Sequence, residues 1–110
     1  MKIPRETEQK IAQLQLLEQN LQNFLIQKQA FQTKLIEIEN ALKELEKTKN
    51  TPYKIVGTIM VASKKEDLKK DLNSQKEIIE LRIKNLEKQE EKIKEKAKET
   101  QTQVMQEIKK

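Results

Sequence analysis

The chain has 110 residues, of which 37% are charged and only 3% aromatic, and its formal net charge is +5; that excludes a conventional compact core. It contains no Cys and no His, so disulfides, thiolate and imidazole metal sites and the commonest general base are all missing. One Gly and two Pro leave few helix breakers, and the abundance of Lys, Glu, Leu and Gln points to long helices of the coiled-coil kind.

The first helix is expected over residues 5–49. Pro4 stands at its entrance, where a missing N–H costs nothing. Leu14, Leu17, Leu21, Phe24, Lys28, Phe31, Leu35, Ile38, Leu42 and Leu45 alternate at spacings of three and four, and all but Lys28 are apolar. A repeat of this period, sustained this long, is a seam for a second helix. Asn50, Thr51 and Pro52 end the helix, because a residue before proline resists the α region.

A β-hairpin is expected next, over residues 53–62. Tyr53–Val56 and Ile59–Ala62 are apolar and β-branched, and Gly57-Thr58 suits a two-residue turn of type II′. That turn pairs Val56 with Ile59, Ile55 with Met60 and Tyr53 with Ala62, so both faces of the hairpin are largely apolar. A lone hairpin is marginal in water, and two free edges invite aggregation. Assembly of several hairpins into a closed barrel would remove both problems, which makes Tyr53, Ile55, Val56, Gly57, Ile59, Met60 and Val61 the candidate oligomerisation residues.

The second helix is expected over residues 64–108. Ser63 and Glu66 have capping-box spacing at its start. Its seam is Leu72, Lys76, Ile79, Ile83, Leu86, Glu90, Ile93, Ala97, Thr100, Val104 and Glu107, weaker than the first beyond Ile93. The hairpin folds the two helices back on each other as a long antiparallel coiled coil, with both chain ends at one tip. Ile3, Ile11, Leu14, Leu16, Leu17, Val104, Met105 and Ile108 gather there. Leu14, Leu17 and Val104 also fit the seam, while Ile11, Leu16 and Met105 lie off it. Loosely zipped ends would make this tip an adaptable apolar surface.

Helix, single hairpin and helix with matched arms, centred on "YKIVGTIMV", resembles the β-class subunit of prefoldin. "LRIKNLEKQEEKI" (Leu81–Ile93), the early Ile-Pro and "QKQ" (Gln27–Gln29) are similar to the same family. The resemblance covers nearly the whole chain, residues 1–110, as one subunit. It implies a hexamer of two α-class and four β-class subunits, with a double β-barrel hub and six projecting coiled coils. It also implies an ATP-independent chaperone, or holdase, that binds unfolded clients at the tips and delivers them to a group II chaperonin. No cofactor, catalytic residue or metal ligand is expected, and the chain is not expected to be an enzyme.

Other partners fit less well. Arg5 and Arg82 are the only arginines, and basic and acidic residues interleave, so guanidinium forks and stacking platforms for nucleic acid are missing. No apolar run is long enough for a membrane span, and a cytoplasmic location is expected. The alternative to the holdase is a structural coiled-coil tether or adaptor that binds one partner helix.

Overall fold

The computed structural model describes residues 3–109. Its elements in chain order are α1 (Arg5–Lys47), β1 (Tyr53–Val56), β2 (Ile59–Ala62) and α2 (Lys65–Lys109). Two compact units arise from the pairing of the helices: one of residues 30–83, the other of the remaining parts of α1 and α2.

The unit of residues 30–83 holds the hairpin and the helix ends that flank it. The strands pair antiparallel as Tyr53↔Ala62, Lys54↔Val61, Ile55↔Met60 and Val56↔Ile59. Gly57 has φ of 64°, and no non-glycine residue among those described has positive φ. Positive φ at the first central position alone is the signature of a type II′ turn and rules out type I′, which needs it at both. Below the strands, Ile38, Leu45 and Ile79 are buried between the antiparallel helices. Leu35, Leu42, Leu72 and Ile83 are half-buried beside them.

α1 ends two residues before the expected boundary, and the reason is local. The Thr48 N–H turns back to the Leu45 carbonyl, and its hydroxyl donates to the Glu44 carbonyl at 2.8 Å. Lys65 of α2 then reaches the carbonyls of Glu46 and Thr48 at 3.3 and 3.5 Å. A cation on the last carbonyls of a helix satisfies free acceptors and opposes the negative end of its dipole.

The start of α2 also differs from the expectation. The capping box does not form, because Ser63 serves the sheet instead. Its N–H donates to the Pro52 carbonyl at 3.1 Å and prolongs the strand ladder. The first helical bond runs from the Leu68 N–H to the Lys64 carbonyl, which moves the helix start one residue along. Glu66 and Asp67 still place negative charge in the first turn.

In the other unit the first part of α1 packs antiparallel on the last part of α2. Leu17, Leu86 and Val104 are buried, together with Thr7 and Thr100. Leu14, Leu21, Phe24, Ile93 and Ala97 are half-buried. In both units the burial follows the seam predicted from the heptads, because a 3.5-residue period keeps one stripe of each helix against its partner.

The charged residues of the seam find partners across it. Lys28 of α1 meets Glu90 of α2 at 3.2 Å, and Lys76 meets Glu39 at 3.8 Å. Glu107 accepts from the Thr7 hydroxyl and from the Lys10 ammonium. Each of these pairs lies within three residues of the register that the hairpin turn dictates. Among the described residues no helix is long and apolar enough to cross a membrane.

Candidate functional site

Two surfaces carry the residues singled out from the sequence, one in each unit. The first is the hairpin. All eight strand residues are exposed, and Tyr53, Ile55, Val56, Ile59, Met60 and Val61 range from 47% to 70% exposure. Alternation along a strand normally hides one face; here neither face is hidden. The Lys54 ammonium reaches Asp71 of α2 at 3.4 Å and ties the first strand to the helix. Beneath that tie Tyr53 and Ile55 line an open groove with Leu45, Leu68 and Leu72. A Cβ on Gly57 would meet no atom within 4 Å, so the glycine answers to the turn's φ and not to crowding.

The second surface is the end of the other unit, and its candidates divide into two groups. Leu17 and Val104 are buried in the seam, and Leu14 and Ile11 are half-buried at its margin. Ile3, Leu16, Met105 and Ile108 stand clear of it, between 45% and 57% exposed. The ends are not loosely zipped. Thr7 is only 1% exposed, and its hydroxyl and the Lys10 ammonium share the Glu107 carboxylate.

Thr7 and Lys10 escaped the apolar pattern because they are polar. The signal was present nonetheless: the three-four alternation, continued backwards from Leu14, lands on Lys10 and then Thr7. Leu25 and Ile26 in this unit, and Ile36, Ile78 and Leu81 in the hairpin unit, are also exposed apolar side chains. They lie on no seam position, so nothing in the heptad pattern marks them.

The electrostatics centre on Glu90. Lys94, one turn along α2, lies 3.1 Å from one carboxylate oxygen, and Lys28 lies 3.2 Å from the other. These two ammonium groups, Lys94 first, hold the carboxyl below its ordinary value against the opposing effect of burial. In the hairpin unit the Arg82 guanidinium lies over the Phe31 ring, 5.8 Å from its centre. None of these groups forms a nucleophile–base pair in a cleft; they are cross-links between helices.

Comparison with known proteins places this geometry among relatives. Residues 8–110 match the family described as Prefoldin subunit. The chain is 46% identical over 101 residues to the prefoldin subunit beta of Archaeoglobus fulgidus, covering 90% of this chain and 87% of that one. It is 38% identical over 91 residues to the prefoldin subunit beta of Saccharolobus islandicus, covering 81% and 72%. Its structure is similar to the crystal structure of the prefoldin beta subunit from Thermococcus strain KS-1, with a TM-score of 0.89 and 36% identity over 96% of this chain and 94% of that one.

Proposed function

This chain belongs to the prefoldin subunit family, among the β subunits, and from that premise we propose that it is a holdase subunit. It assembles through its hairpin with other prefoldin subunits, in a hexamer of two α-class and four β-class chains. It holds unfolded proteins at its helix ends without nucleotide and passes them to a group II chaperonin in the cytoplasm. It catalyses no reaction.

One observation carries this reading. At the helix ends the seam is already satisfied, yet Ile3, Leu16, Met105 and Ile108 remain exposed outside it. Apolar side chains that close no core have no part in holding the helices together. The unbranched, flexible side chain of Met105 adapts to many client shapes, and Leu16 adds exposed apolar area. Single contacts of this kind are weak, and several helix ends acting on one client would supply avidity. The charged outer faces keep such an assembly in solution.

The hairpin has the complementary task. Its strands offer main-chain donors and acceptors at both edges and apolar side chains on both faces, which suits edge-to-edge pairing with other hairpins.

The test is suppression of client aggregation by the chain assembled with an α-class subunit, in the absence of nucleotide. Deletion of the residues before Leu14 and after Thr100 should abolish suppression and leave the assembly intact by light scattering. Equal protection by the truncated assembly would refute the client site. Failure to assemble with any α-class subunit would instead favour a tether.

A further inference from the structure

We propose that Glu107 is a clasp that sets how far the helix ends are zipped, and thereby how much apolar surface they present to a client; this rests on the client-binding reading above. Two features of the last rung support it. First, that rung is polar where the seam calls for an apolar layer. The Thr7 hydroxyl is enclosed, with the residue only 1% exposed, and must have an acceptor there; Glu107 supplies it. The same carboxylate takes the Lys10 ammonium.

Second, the clasp is reachable by water. The side chains of Lys10 and Glu107 are 30% and 28% exposed. An ion pair with that access exchanges its partners for water at little cost, unlike a packed leucine rung. Behind it stands a single apolar rung at Val104, and the next seam positions of α2, Thr100 and Ala97, carry small side chains. Opening the clasp therefore uncovers Val104 and Leu14, next to Met105 and Ile108, which are already exposed. The closed ends hold a reserve of apolar surface, and Glu107 controls its release.

Two variants push in opposite directions. Glu107→Ala removes the acceptor and should open the ends. Thr7→Val with Glu107→Leu replaces the enclosed hydroxyl and its acceptor by apolar groups, while the Lys10 ammonium, 30% exposed, turns to water, and should shut them. Each is made in the full chain, assembled with an α-class subunit, and read in two ways. Amide hydrogen exchange over residues 100–107 reports opening. Protection of guanidinium-unfolded citrate synthase from aggregation reports holding. Glu107→Ala should speed exchange about tenfold and increase protection at equal concentration. The double variant should slow exchange and reduce protection. Unchanged exchange in Glu107→Ala overturns the clasp. Exchange that moves while protection does not overturns its control over holding. In that case the truncation lacking the residues before Leu14 and after Thr100 separates the causes: if it still abolishes protection, the client site stands and only the clasp falls, whereas full protection by the truncated chain removes both.

Discussion

Replacing Lys28 and Glu90 by leucine, singly and together, should give unequal and strongly non-additive losses of stability. The side chains are 17% and 12% exposed and their charged atoms lie 3.2 Å apart. Breaking a fully buried ion pair by removing one partner costs about 3–5 kcal/mol, mostly the charge left behind. Glu90→Leu leaves the Lys28 ammonium facing an apolar seam. Its residual exposure lets the flexible stem carry the charge towards water, so the cost should be lower, about 2–3 kcal/mol. Lys28→Leu is different, because Glu90 keeps Lys94, itself 63% exposed, at 3.1 Å. The carboxylate is not stranded, and the new leucine fills the one polar gap in α1's seam between Leu14 and Leu45. That variant should lie within about 1 kcal/mol of the parent. The double variant should match or exceed the parent, since two packed leucines replace a desolvated pair, and the coupling should be about 2 kcal/mol. Urea unfolding followed by circular dichroism measures all four proteins. Protomer concentration must be held fixed, because assembly shifts the midpoint by mass action. Equal single losses, or a coupling below about 0.5 kcal/mol, would refute the view of Lys28 and Glu90 as one unit.

Other outcomes follow from the same structure. The lowered Glu90 pKa contributes stability that is present above the ordinary carboxylate value of 4.5 and lost as pH falls towards the lowered value in the folded chain. The stability difference between the parent and Glu90→Gln should therefore narrow on acidification from about pH 6 to about pH 3 and stay level on the alkaline side, as read by urea midpoints. Gly57→Ala should weaken the hairpin by about 1–2 kcal/mol through φ alone, seen as a raised dissociation concentration of the assembly with unchanged helix content. Ile55→Asp should prevent assembly in analytical ultracentrifugation while the helical signal persists. Arg82→Gln should cost about 0.5–1 kcal/mol in thermal unfolding, with part retained in Arg82→Lys, since the cation over Phe31 survives.

The parts of this molecule that repeat were readable from the residues. The heptads located Ile38, Leu45, Ile79, Leu86 and Val104 in the seam, because a helix at this period presents the same stripe turn after turn. Gly57-Thr58 located the turn, because only glycine takes its first position without strain, but from the residues alone a one-residue shift would exchange Ile55 and Val56 between the faces, and the strand pairing itself settles the register. Features that depend on a partner across the fold were harder to read. Ser63 had two possible uses, as a helix cap or as a ladder donor to Pro52, and its neighbours in sequence favoured the first while the sheet took the second. The polar rungs looked like flaws in a zipper until the opposite helix supplied Glu90 for Lys28 and Glu39 for Lys76. At the helix ends, the thin seam of α2 suggested loose packing, yet the rung formed by Thr7, Lys10 and Glu107 is made of the residues an apolar search passes over.

On the proposed assembly through the hairpin, protein concentration becomes a condition of the hairpin's own structure. Two short strands are marginal in water, and these have all their side chains exposed. Whatever third strand pairs with them acts on their folding as a ligand acts on a receptor, in proportion to its supply. Dilution should thus loosen the strands while the helices remain formed, and a shortage of one subunit should leave the others with sticky edges. For such a chain, the rate at which its partners are synthesised is a structural variable.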